Sequence, residues 1–78
     1  MTKEEQLKRL DDYINWIKID ENYRIMKEFR FMYQDEYIQF FETRKYLIEK
    51  YSGIEDYDRI IDNYSKIILN KVERLMNE

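Results

Sequence analysis

A single glycine, Gly53, and no proline in 78 residues leave this chain almost nothing with which to interrupt a helix. Glycine and proline are the strongest local breakers of regular structure, so their near absence argues against a turn-rich sheet. With 44% apolar and 40% charged residues the composition also lies outside the disordered range and fits amphipathic helices. The fold class expected is all-α, a small antiparallel three-helix bundle forming a single domain over 1–78.

The helices can be placed from apolar spacing and capping signals. Thr2 followed by Glu5 is a capping-box pattern, and Leu7, Leu10, Ile14 and Ile17 recur at helical spacing, which predicts a helix over 3–18. Asp20-Glu21-Asn22 offers caps for the next one. Ile25, Phe29, Met32, Phe40, Leu47, Ile48 and Tyr51 then suggest one long central helix over 22–51, ended by Ser52-Gly53. Glu36 falls where that stripe calls for an apolar residue. Either the helix breaks near 34–36, with Asp35 as a new cap and Glu36 in a tolerant first turn, or Glu36 is buried and paired. Ser52 and Glu55 form a second capping-box pattern, and Ile54, Tyr57, Ile61, Tyr64, Ile68, Val72 and Leu75 continue it as a third helix over 53–76.

Three groups of residues are left over by that bundle. Phe31, Ile38 and Phe41 fall on the side of the central helix away from its stripe. They are either covered by the outer helices or form a self-association face, which makes a homo-oligomer the expectation. Trp16 and Ile19 point away from the first stripe. With Tyr13 and Tyr23 nearby they are candidate anchors for another protein, because tryptophan and tyrosine are enriched at binding hot spots. Arg24, Lys27 and Arg30 step along one edge of the central helix, continued by Arg44 and Lys45, and are candidate phosphate contacts. Asp11, Asp12, Asp20, Glu21, Glu55, Asp56, Asp58 and Asp62 form acidic stretches that could gather at one end of the bundle.

Chemistry is limited by what is missing. The chain has no histidine and no cysteine, which removes the commonest general base, the thiol nucleophile, disulfides and most transition-metal ligand sets. No glycine-rich phosphate loop is present, so neither catalytic residues, cofactor nor metal is expected. A net charge of −3 argues against a general nucleic-acid binder without excluding a basic patch. The charged opening segment and the lack of any long apolar run predict no membrane association and a cytoplasmic location.

The functional expectation is a non-enzymatic protein-protein interaction module. It would be a small regulator or inhibitor of the kind mobile elements such as phage encode, able to block a nucleic-acid-handling machine. A small dimeric DNA-binding regulator using Arg24, Lys27 and Arg30 is the alternative, and a structural assembly subunit the third reading.

Overall fold

The first helix, α1 (Lys3–Ile17), starts where the capping box places it: the Thr2 hydroxyl oxygen accepts from the Glu5 amide at 3.2 Å. In this computed structural model, which describes residues 2–51, 59 and 61–78, three further helices follow: α2 (Asp20–Phe29), α3 (Gln34–Lys50) and α4 (Asn63–Met76). Among the described residues there is no strand. The chain is all-α.

Side chains terminate α1 in place of a glycine. Asn22 Nδ2 donates to the Trp16 carbonyl at 3.0 Å and Gln34 Nε2 to the Ile17 carbonyl at 2.9 Å, satisfying acceptors that the helix end leaves open. The same Gln34 contact ties the end of α1 to the start of α3. At the opposite ends Lys3 Nζ donates to the Tyr51 carbonyl at 2.9 Å, and midway Lys45 meets Asp11 at 2.5 Å, so α1 and α3 run antiparallel.

The expected long central helix is two helices. Between them Arg30 is extended, with φ −151° and ψ 120°, and Tyr33 caps α3 with φ −65° and ψ 154°. Glu36, in the first turn of α3, accepts from the Tyr33 amide at 2.9 Å and stays exposed. The break therefore lies just ahead of 34–36, with Tyr33 rather than Asp35 as the cap. Two tyrosine hydroxyls stabilise the connection from inside: Tyr37 donates to the Arg30 carbonyl, and Tyr23 to the Met32 carbonyl at 2.9 Å.

Breaking the helix resets its phase, and the expected stripe is reassigned accordingly. Met26, Tyr37, Phe41 and Ile48 are buried, whereas Ile25 is 50% and Phe29 44% exposed. Leu10, Tyr13, Ile14 and Ile17 from α1, with Ile68 and Val72 from α4, complete the core.

The third expected helix, over 53–76, is interrupted at 61–62, although Arg59 before that point is helical. Ile61 and Asp62 are not helical, and Asp62 caps α4 by accepting from the Ser65 amide at 2.7 Å. That bond, with the Ser65 side chain after it, holds the Asp62 carboxyl below its ordinary pKa. The Ser52 to Glu55 capping box and Asp56 and Asp58 lie outside the described residues.

Candidate interaction surface

Four exposed apolar side chains stand on α2 and α4, and two of them, Phe29 and Ile67, line one groove. Ile25 and Phe29 are one turn apart on α2, and Tyr64 and Ile67 stand on α4, between 40% and 55% exposed. Two cations tie the helices together: Lys71 Nζ sits 5.3 Å from the Phe29 ring centre, and the Arg30 guanidinium lies 4.2 Å from the centre of Tyr64. Arg30 Nε also donates to the Tyr64 hydroxyl at 3.0 Å. An open groove of about 580 Å³ runs here, lined by Phe29, Ile67, Asn70, Glu73 and Arg74.

The rim of this groove is unbalanced in charge. Ion pairs form elsewhere: Lys8 with Asp12 at 3.4 Å, Arg9 with Glu73 at 2.8 Å, and Lys45 with Asp11 at 2.5 Å. No described carboxylate lies within ion-pair distance of Arg30, Lys71 or Arg74. Glu73, the carboxylate of the groove lining, is held by Arg9 and accepts from the Tyr13 hydroxyl at 3.3 Å.

The connection between α2 and α3 carries a smaller aromatic pair. Arg30 and Met32 both reach Tyr64, while Phe31 and Tyr33 pack edge to face with ring centres 5.3 Å apart. Phe31 and Tyr33 are each 66% exposed.

The residues expected to bind a partner do not form one surface. Tyr13, 6% exposed, is core, because α4 covers the flank of α1 on which it stands. Trp16 and Tyr23 are half-buried against the core, and Tyr23 spends its hydroxyl on the α2–α3 connection. Ile19 is 54% exposed, as the residue before α2. The expected self-association face is divided as well: Phe41 is fully buried and Ile38 packs on the core, which leaves Phe31 alone in the open. The cause is the helix break, which frees α3 to turn the Tyr37 and Phe41 side inward.

All three expected phosphate contacts, Arg24, Lys27 and Arg30, are exposed, with Lys27 Nζ 5.4 Å from the Tyr23 ring centre and Arg30 held against Tyr64. Arg44 and Lys45 do not extend that edge. Arg44 lies over the Phe40 ring and bonds Ser65, and Lys45 is paired with Asp11.

Sequence reasoning missed the groove because Ile25, Phe29 and Tyr64 had been assigned to core stripes. Ile67 was the available signal: it precedes Ile68 and lies about 100° off the stripe of α4, too far to share its burial.

A second, polar pocket of about 210 Å³ is lined by Arg9, Asp12, Tyr13, Glu73, Met76 and Asn77. Burial first, and the adjacent Glu73 carboxylate second, push the Tyr13 hydroxyl up to about 12. It stays a protonated donor at neutral pH. Among the described residues no group of three or more acidic side chains is placed to hold a metal ion, and no helix is long and apolar enough to cross a membrane. The chain matches no protein-family model, no curated protein and no solved structure.

Proposed function

We propose that this chain is a non-enzymatic protein-interaction module, a small helical regulator or inhibitor that acts by docking the α2–α4 groove on another protein. The observation that carries this reading is the position of the exposed apolar side chains. Of the eight large ones among the described residues, four stand on α2 and α4 (Ile25, Phe29, Tyr64 and Ile67), and Phe29 and Ile67 line one groove between these helices. Contiguous apolar surface rimmed by polar groups marks interaction sites. Phe29 and Ile67 are already about half buried, and burying the remainder in a complex would contribute about 0.7 to 1.5 kcal/mol each. The lack of histidine and cysteine in the whole sequence supports a binding rather than a catalytic role.

Affinity capture from the source cell, with wild type beside Phe29→Ser and Ile67→Ser, tests the reading. Both variants should lose the captured protein while keeping the helical circular-dichroism signal. Retention of the same protein by both would refute docking through this groove. If duplex DNA is bound instead, with affinity falling steeply as salt rises and lost in Arg24→Ala and Lys27→Ala, a DNA-binding regulator replaces the interaction module.

A further inference from the structure

The geometry points to a partner of definite chemistry: an acidic amphipathic helix, seated with its apolar side on Phe29 and Ile67 and its carboxylates against Arg30, Lys71 and Arg74. This rests on the interaction-module reading and specifies its partner.

Charge is the first argument. Arg74 of the groove lining, with Lys71 over the Phe29 ring and Arg30 over the Tyr64 ring beside it, has like them no carboxylate partner among the described residues, although the chain carries a net −3 and forms ion pairs elsewhere. Arg30 and Lys71 are instead held over Tyr64 and Phe29. A cation over a ring keeps its full charge, so these contacts place positive charge beside the apolar floor without neutralising it. The lining carboxylate, Glu73, is already satisfied by Arg9 and Tyr13.

Spacing is the second argument. Ile25 and Phe29 stand one turn apart on α2, and Ile67, Lys71 and Arg74 follow at i, i+4 and i+7 on α4, with Phe29, Ile67 and Arg74 lining the groove. A helix laid in a groove presents its anchors with that same one-turn repeat. Single-stranded nucleic acid fits less well, because it binds by stacking bases on free aromatic faces. Here Lys71 and Arg30 already lie over faces of Phe29 and Tyr64.

The test uses the full chain, labelled with ¹⁵N, and two synthetic helical peptides of about 16 residues, of a length suited to a stable short helix. Both carry leucine at i, i+3, i+4 and i+7; one has glutamate and the other lysine at the flanking positions. The acidic peptide should shift the amides of Phe29, Ile67, Lys71 and Arg74 and bind at least about tenfold more tightly than the basic one, a difference the rim charges can supply. Combined Lys71→Glu and Arg74→Glu should reverse the preference, and Ile67→Ser should weaken the acidic peptide by about tenfold or more, as loss of an apolar anchor does.

Equal binding of the two peptides, or a preference for the basic one in the groove, would overturn the acidic partner while leaving the interaction module standing. Shifts confined to other residues, or none, would overturn the seat itself. Shifts that appear on concentrating the protein alone would show that a second copy, not an acidic helix, occupies the groove. A duplex oligonucleotide that shifts the same four amides at physiological salt would show nucleic acid there instead.

Discussion

Tyr13 of α1 and Phe41 of α3 pack against each other in the core, their ring centres 5.7 Å apart and their planes tilted by 56°. By sequence pattern one belonged to a partner-binding site and the other to a dimer face. Their contact shows that α1 and α3 use both residues to close the same interior, with Phe40 against Phe41 at 5.5 Å extending the aromatic layer.

Phe41→Ala should therefore cost about 3 to 5 kcal/mol, the usual penalty for an aromatic ring deleted from a packed core. In a chain this small that is a large part of the total stability. Phe31→Ser, at a position 66% exposed, should stay within about 0.5 kcal/mol of wild type. Urea denaturation followed by circular dichroism measures both. A Phe41→Ala protein as stable as wild type would mean that the ring is not core.

Arg44 and Ser65 should behave as a coupled pair. The Ser65 side chain is the buried polar one among the described residues, and its hydroxyl oxygen accepts from Arg44 Nη2, which links α3 to α4. Arg44 Nε is buried without a hydrogen-bond partner, so this guanidinium has little else to fall back on. Ser65→Ala should cost about 1 to 3 kcal/mol, because it removes the acceptor of a part-buried, charged donor. Arg44→Met combined with Ser65→Ala should cost less than the sum of the two single changes, with a coupling of about 0.5 to 3 kcal/mol. Additive losses in a double-mutant cycle would show that the two side chains act independently.

Alkaline pH should unfold the protein through its buried tyrosines. Burial raises the Tyr37 hydroxyl to about 12, with Tyr64 and Tyr23 adding to the effect, and Tyr13 stands at about 12 as well. Both folded values exceed the tyrosine value of about 10 expected of the unfolded chain. The folded protein thus holds these protons after the unfolded chain has released them. Stability is fully present below about pH 10 and is lost as the pH rises through about 12. Lys45, raised mainly by its hydrogen bond to Asp11, works in the same direction. Thermal melts across that window should show a falling midpoint, and Tyr37→Phe should flatten the fall. A midpoint that holds steady from about pH 9 to 12 would contradict the burial of these hydroxyls.

What the sequence determined by itself was the local structure. The absence of proline and the helical apolar spacing committed the chain to an all-α fold, and Thr2 with Glu5 marked the start of α1, because capping and periodicity act between residues a few positions apart. Glu36 left two readings open near 34–36, an interruption or a buried pair, since a carboxylate on an apolar stripe must either reach solvent or be paired, and the structure takes the first. Only the tertiary structure decided which side of each helix went inward. The Tyr37 bond to the Arg30 carbonyl holds a four-residue break across which helical phase does not carry, so the inward side of α3 could not be inferred from that of α2. Tyr13 and Phe41 became core, and Ile25 and Phe29 became surface, because burial depends on which neighbour arrives over a side chain. For Tyr13 that neighbour is α4, 60 residues away in sequence through Glu73, and no short-range pattern encodes its arrival.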